Sequence, residues 1–138
     1  MSNTDNDLKA PGPEITDLNR PYWDGLQEGR HTYQCCNTCG HAWLPARSEC
    51  PGCLGDSWSW KQASGRARLV SWVVYRIAYH ASFANRLPYT VAVVELEEGP
   101  RMFSNIVGAD ASALQVEMPM RMVIEDEGGT AVARFAPA

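Results

Sequence analysis

The chain has 138 residues, of which 45% are hydrophobic, and this composition suffices for one globular domain or one domain with a small appendage. Its 16 acidic residues outnumber its 12 lysines and arginines, so the net charge of -4 disfavours nucleic acid as a main partner. The first residues lack a signal-peptide pattern and the sequence contains no long apolar run, so we expect a cytoplasmic protein without a membrane segment.

The first predicted elements are a flexible segment and a short helical segment. Residues 1–14 are polar and proline-containing, which predicts little order. In residues 15–30, Thr16 or Asp17 is placed to cap a helix, and we expect Pro21 to divide the helix into two pieces. The predicted apolar stripe of this segment consists of Leu18, Tyr22, Trp23 and Leu26. These side chains could pack on the body of the protein or contact a partner.

The next segment, residues 31–62, contains all five cysteines of the chain. Four of them form two Cys-x2-Cys pairs, which are Cys36, Cys39, Cys50 and Cys53. Each pair makes a tight turn whose backbone N–H groups can donate to the sulfurs, and two pairs supply the four ligands of a tetrahedral ion. The spacing predicts a structural zinc site with one Zn²⁺ per chain and no open coordination position.

Other interpretations of these residues compete with the zinc site. Disulfides are disfavoured because cytoplasmic thiols stay reduced, whereas iron fits the same four sulfurs, so the sequence leaves zinc against iron open. Cys35 is interpreted as a spare thiol, with a Cys35-x3-Cys39 pairing as the alternative. His41 is interpreted as a surface or packing residue rather than as a fifth ligand. A segment of this size cannot fold on its own core, so the metal has to stabilise it.

Residues 63–138 are predicted to form a five-stranded barrel. Runs rich in β-branched and aromatic residues, bounded by Gly or Pro, predict strands at 66–78, 89–97, 101–108, 120–127 and 130–135. A short segment with helical character separates the third strand from the fourth. The predicted order is a long first strand, two hairpin partners, a small helix and a last hairpin. This is the order of elements in a Greek-key OB-fold. The predicted fold is therefore mainly β, with an N-terminal helix, a zinc ribbon and a C-terminal OB-fold barrel.

The order of these motifs resembles one family in particular. The segments "PYWDGLQEGR", "CNTCGHAWLPARSECPGC", "SGRARLVSWVV", "VAVVELEEGPRMFSN" and "MPMRMVIEDEGG" are similar to those of the DUF35 family over roughly residues 15–136. Members have an N-terminal helix, a rubredoxin-like zinc ribbon and a C-terminal OB-fold. The four paired cysteines match the family's zinc ligands, whereas Cys35 stands where many members have another residue.

The resemblance also implies a function. Members of the family associate with thiolase-fold enzymes as a small subunit in acyl-CoA thiolysis, Claisen condensation and retro-aldol cleavage, and some help to form the acyl-CoA channel. The catalytic residue belongs to the partner. We therefore expect a non-catalytic accessory subunit of a thiolase-like enzyme, with a CoA thioester bound at the partner interface.

A loop between the first two barrel strands is the predicted contact site for this partner or for CoA. OB-folds commonly bind through this loop, and its apolar, aromatic and basic residues suit such contacts. The candidates are Tyr79, His80, Phe83, Arg86 and Tyr89. The same loop could instead cover the barrel mouth. His80 is the best isolated acid–base candidate, but no nucleophile signature accompanies it.

Two further functions remain as alternatives. An OB-fold joined to a zinc ribbon also occurs in single-strand nucleic-acid binders, which need basic residues interleaved with stacking aromatics. The second and third barrel strands instead carry Glu95, Glu97 and Glu98 against Arg101, which argues against this function. A stand-alone acyl-CoA-binding protein is the other alternative.

Overall fold

The structure is a computed structural model that describes residues 12–77 and 87–138. Its elements are the helix α1 (Arg20–Gln27), the strands β1 (Thr32–Cys36), β2 (Ala42–Trp43), β3 (Trp58–Gln62), β4 (Arg66–Tyr75), β5 (Tyr89–Leu96) and β6 (Arg101–Asn105), a 3₁₀ turn (Ala111–Ala113), and the strands β7 (Pro119–Glu127) and β8 (Thr130–Pro137). The strands form two sheets, so the predicted mainly β fold with one N-terminal helix is confirmed.

A reciprocal pair of side-chain hydrogen bonds precedes α1. Asn19 Oδ1 accepts from the backbone N–H of Thr16 at 2.7 Å, and Thr16 Oγ1 accepts from the N–H of Asn19 at 3.3 Å. Pro21 lies in the first turn of the helix, where its missing N–H costs no intrahelical bond. The expected division of the helix at Pro21 is therefore wrong, because residues 12–30 contain one helix and it begins at Arg20.

The helix packs closely on the start of β1. Leu26 is fully buried, and a Cβ at Gly25 would lie 3.2 Å from the carbonyl oxygen of Arg30 and 3.3 Å from Cγ2 of Thr32. Glycine at position 25 therefore lets α1 approach the strand more closely than a larger residue would. In the described part of the chain, no helix has the length and hydropathy needed to span a membrane.

The first sheet is a three-stranded antiparallel ribbon with β1 in the centre. Its order is β2-β1-β3, with Gln34 opposite Trp43 on one side and opposite Trp60 on the other. The turns that follow β1 and precede β3 hold the paired cysteines. The ribbon sheet thus brings two turns, distant in sequence, to the same end of the strands.

The second sheet is five-stranded and has the order β6-β5-β4-β7-β8. All neighbours pair antiparallel, and the β4–β5 register shifts between Leu69 and Ser71, which marks a bulge in the long first strand. An isolated parallel bridge joins Ile106 to Phe135, and Ser104 Oγ donates to the carbonyl oxygen of Ala133 at 2.9 Å. These contacts bring β6 beside β8 and nearly close the barrel, as the OB-fold prediction requires.

Alternating residues of the barrel strands form the core. In β5, every second residue from Thr90 to Leu96 is buried, which is the period expected of a half-buried strand. The core includes Leu69, Leu96, Met120 and Phe135, and it extends into the ribbon through Tyr33. Ribbon and barrel therefore share one hydrophobic core.

Ion pairs cover part of the outer barrel face. Glu95 accepts from Arg68 and from Arg101, both at 2.8 Å, and Glu97 accepts from Arg66 at 2.8 Å. Hydrogen bonds from Arg101 and Arg68 lower the pKa of Glu95. These three arginines are therefore engaged by carboxylates rather than presented to a phosphate backbone, in line with the argument against nucleic acid.

Candidate metal centre

The four paired cysteines meet at the end of the ribbon. Their Sγ atoms all lie within 4.8 Å of one another, although Cys36 ends β1 and Cys50 lies beyond β2. The Sγ atoms of Cys36 and Cys53 are 3.7 Å apart, and those of Cys39 and Cys50 are 3.6 Å apart. The structure therefore brings together all four residues that the sequence predicts as ligands.

Backbone N–H groups point at one sulfur of each pair. Cys36 Sγ accepts from the N–H groups of Thr38 and Cys39, both at 3.4 Å. Cys50 Sγ accepts from Gly52 at 3.3 Å and from Cys53 at 3.5 Å. The two turns have the same hydrogen-bond pattern, which explains the Cys-x2-Cys spacing, because two intervening residues aim these N–H groups at the first sulfur.

The pKa values of two of these crowded thiols, Cys36 and Cys39, are shifted in opposite directions. The N–H groups of Cys39 and Thr38 lower the pKa of Cys36 to about 6. The N–H of His41 lowers the pKa of Cys39, but the sulfur of Cys50, desolvation and the sulfur of Cys36 together raise it to about 12. Several thiolates in this space would repel one another, and a divalent cation held by the four cysteines would supply the compensating charge.

The geometry and the donor set fit a tetrahedral metal ion. Four sulfurs bonded to zinc at about 2.3 Å lie about 3.8 Å from one another, close to the observed 3.6 and 3.7 Å. A disulfide would need a separation of about 2.05 Å. Four thiolates would fill every position around zinc, so a bound ion would crosslink the two turns and leave no position for substrate.

Aromatic residues pack around the four cysteines. Trp43 is buried and, together with Trp58, packs against Cys36 and Cys50. The His41 ring stacks on Trp43 with a centroid distance of 6.2 Å and an interplanar angle of 15°. His41 is exposed and lies outside the four-thiol group, as its interpretation as a packing residue predicts.

Cys35 also lies outside the four-thiol group. Its Sγ is 3.7 Å from the carbonyl oxygen of Gly40, and its side chain packs against the barrel core. Neighbouring residues in a strand point to opposite faces, so Cys36 facing the metal site turns Cys35 away from it. This placement agrees with the interpretation of Cys35 as a spare thiol.

Gln34 is a supporting residue that sequence reasoning missed. It is fully buried, its Nε2 donates to the carbonyl oxygen of Arg47 at 2.9 Å, and its Oε1 accepts from the N–H of Arg47 at 2.8 Å. The Gln34 side chain therefore pairs with both backbone groups of Arg47, as a neighbouring strand would. It holds in place the segment that leads to Cys50. A lone Gln in a strand resembles a solvent-facing residue, so no sequence signal indicates this role.

Of the five loop residues predicted to contact the partner or CoA, the structure describes one. Tyr79, His80, Phe83 and Arg86 lie outside the described residues. Tyr89 begins β5, where its ring stacks on Tyr75 with a centroid distance of 5.2 Å. The contact role of all five residues stays a prediction.

His31 joins the helix, the ribbon and the barrel, and sequence reasoning missed this role too. The residue is 1% exposed, its Nε2 lies 3.3 Å from the Tyr22 hydroxyl, and its ring centroid is 6.3 Å from that of Phe135. Burial raises the pKa of Tyr22 to about 12, so the hydroxyl stays protonated beside the imidazole. Burial also lowers the pKa of His31 to about 4.

The neutral state of His31 predicts a pH dependence of stability. Between about pH 6.5 and 4 the unfolded chain binds a proton at His31 that the folded chain does not, so the free energy of unfolding falls as pH falls. The shift corresponds to about 3 kcal/mol, present above pH 6.5 and lost towards pH 4. This loss of stability can be measured by urea unfolding of the wild type and His31→Gln across this pH range. Metal content should be checked at each pH. Equal pH slopes for the two proteins would contradict it.

Models of two known domains match this chain in the same order as its two sheets. The model described as the rubredoxin-like zinc ribbon domain of ChsH2 matches residues 23–59, and the model described as the C-terminal OB-fold domain of ChsH2 matches residues 60–125. The chain therefore belongs to the class of proteins in which a zinc ribbon is joined to an OB-fold. A DUF35 domain-containing scaffold protein of Methanothermobacter thermautotrophicus is 33% identical over 72% of this chain and 77% of its own length. The chain belongs to the DUF35 family.

Other relatives are named as enzyme subunits. A probable enoyl-CoA hydratase alpha subunit of Thermomonospora curvata is 31% identical over 80% of this chain, but the match spans only 34% of that subunit. The benzoylsuccinyl-CoA thiolase subunit BbsA of Thauera aromatica is 25% identical over 89% of this chain and 88% of its own length. The relatives are thus scaffold proteins or subunits of acyl-CoA enzymes.

A solved structure titled Ltp2-ChsH2(DUF35) aldolase has the same fold. It aligns with a TM-score of 0.81 and 28% sequence identity, covering 91% of this chain and 98% of the matched chain. The likeness therefore extends over the helix, the ribbon and the barrel together.

Proposed function

We propose that this chain is a non-catalytic accessory subunit of a thiolase-like enzyme that acts on acyl-CoA by thiolysis, Claisen condensation or retro-aldol cleavage. The observation that carries the proposal is the closed four-thiol centre, in which a bound ion would have no position left for substrate. Such a centre stabilises a fold and offers no catalytic metal, which favours a chain that leaves the chemistry to its partner.

The names of the relatives support this proposal. They include scaffold proteins, a thiolase subunit and a structure titled an aldolase. Thiolases and aldolases both make or break carbon–carbon bonds, which favours an enzyme of that kind as the partner. Catalysis by the partner is consistent with a chain that supplies assembly surfaces rather than reacting groups.

The proposal assigns a role to each part of the chain. Cys36, Cys39, Cys50 and Cys53 hold one structural zinc ion within the ribbon unit, residues 31–62. The barrel unit, residues 63–138, faces the partner and the CoA thioester bound between the subunits. The loop residues predicted from the sequence are the candidates for that contact.

The proposal predicts that the isolated chain turns over no acyl-CoA, whereas the complex with its partner does. The purified chain, a thiolase-like protein from the same organism and the co-expressed pair should be assayed side by side for thiolysis and aldol cleavage. The control is the pair in which the partner's nucleophile is replaced, which should be inactive although both chains are present. Turnover by this chain alone, persisting through repeated purification, would refute the accessory role.

A further inference from the structure

A groove runs between α1, the segment after β2 and the start of β6. Its volume is about 510 Å³, and its walls include Tyr22, Trp23, Leu44, Pro45, Met102 and Phe103. Phe103 is 77% exposed, which is unusual for a large aromatic side chain on a barrel. Because consecutive residues of β6 line the groove, the edge of this strand, and not only one of its faces, borders it.

The hydrogen-bond pattern of β6 shows which backbone groups face away from β5. Ile106 donates to Thr90 at 3.2 Å, and Leu96 donates to the carbonyl oxygen of Pro100 at 2.8 Å, so the even-numbered residues of β6 form the hydrogen-bonded pairs with β5. These pairs alternate with pairs that exchange no backbone bond. The N–H and C=O groups of Arg101 and Phe103 therefore point away from β5.

In the described residues these outward groups pair with no strand, although β8 comes beside β6 from Ser104 onwards. Within residues 12–77 and 87–138, β6 pairs only with β5 along Arg101–Asn105, and the bridge to β8 begins at Ile106. Two donors and two acceptors are thus presented with the repeat of a β-strand, about 6.6 Å over two residues. An extended peptide matches this repeat, whereas a hydrocarbon chain leaves every one of these groups unpaired.

The charge of the groove restricts its occupant further. Among its lining residues in the described chain, Arg101 alone carries a charge, and its guanidinium is ion-paired with Glu95 at 2.8 Å. The pairing leaves the groove without net charge, so it complements a neutral apolar segment better than an anionic group such as the phosphates of CoA.

We propose that an extended apolar segment of the partner subunit adds as a strand to the β6 edge in this groove. The inference rests on the proposed function for the existence of the partner. Backbone hydrogen bonds to Arg101 and Phe103 hold the segment, and its alternate side chains pack between the aromatic rings of α1 and Phe103. The groove would thus select a strand with an apolar residue at every second position.

The decisive test distinguishes the contribution of the backbone N–H of residue 103 to partner binding from the contribution of its side chain. Phe103→Pro and Phe103→Ala both remove the ring, but only the proline variant removes the N–H that faces the groove. That N–H makes no bond to β5, and proline is tolerated at such edge positions, so both variants should fold and keep their metal. We expect the proline variant to bind the purified thiolase-like partner about tenfold more weakly than the alanine variant.

Hydrogen exchange of the wild-type complex tests the same point without a substitution. Partner binding should slow exchange of the Arg101 and Phe103 amides, with the amide of Gly128 in the β7–β8 turn as the control. A complex in which the two variants bind equally and both amides stay unprotected overturns the docking site but leaves the proposed function standing.

Other outcomes of the test identify other occupants. Protection of these amides by acetyl-CoA alone would make the groove a ligand site, and protection in a dimer of the isolated chain would make it a contact between copies. Either result overturns the inference. If the wild-type chain forms no complex with the partner, the proposed function fails first and this inference fails with it.

Discussion

Replacing Cys50 by serine is expected to abolish metal binding and unfold the ribbon, because three sulfurs cannot close the four-thiol centre. Cys50 is completely buried, and its sulfur accepts two backbone hydrogen bonds. In small zinc domains, metal binding is worth on the order of 10 kcal/mol at neutral pH. Elemental analysis should find the metal lost, and fluorescence of Trp43 and Trp58, which pack on the centre, should report the unfolding.

Cys35→Ser is the matched control for this prediction. Cys35 lies one residue from a predicted ligand, but its sulfur contacts the carbonyl oxygen of Gly40 outside the four-thiol group. The variant should keep one zinc ion per chain. Equal metal loss from both variants, full zinc content in Cys50→Ser, or iron in freshly isolated wild-type protein would each contradict the proposed site.

Truncating Phe135 to alanine is expected to have the second-largest effect. The ring is completely buried in the barrel core, and the carbonyl oxygen of Phe135 accepts from Val107 at 2.9 Å where β6 meets β8. Removing a buried phenyl ring costs about 3–5 kcal/mol, because apolar contacts are lost and a cavity remains. Urea unfolding of the zinc-saturated protein measures this loss.

Phe103→Ala supplies the control, because it removes the same ring from an exposed position. Phe103 is 77% exposed, so its truncation should change the free energy of unfolding by no more than about 0.5 kcal/mol. Similar destabilisation by the two substitutions would mean that Phe135 does not anchor the core as described. The pair therefore separates the packing role of one phenylalanine from the surface role of the other.

The barrel strands were predictable because their signals are local. The β-branched and aromatic residues of these strands and the Gly or Pro residues that bound them are apparent in the sequence, and the predicted strands match β4 to β8 within three residues at each end. The four clustered cysteines are equally legible, since metal geometry fixes their spacing. The start of α1 was less predictable, because the side chains of Thr16 and Asn19 satisfy the backbone before Pro21.

Tertiary contacts could not be predicted in the same way. The roles of Gln34 and His31 depend on partners more than ten residues away, such as Arg47 and Phe135, and a single sequence does not show such pairs. The groove beside β6 exists because backbone pairing with β8 is limited, among the described residues, to the bridge at Ile106, and the sequence does not show where this pairing ends. The predicted boundary between ribbon and barrel units at residues 62 and 63 stays a prediction, and Tyr33 of the ribbon packs in the barrel core.

Co-expression with a thiolase-like protein from the same organism tests the central claim most directly. Size-exclusion chromatography with light scattering and elemental analysis measures complex formation and metal content in one sample. The proposal predicts a stable hetero-complex that contains both chains, one zinc ion for each copy of this chain, and acyl-CoA turnover. Separate elution of the two proteins, with full activity in the partner alone, would contradict it.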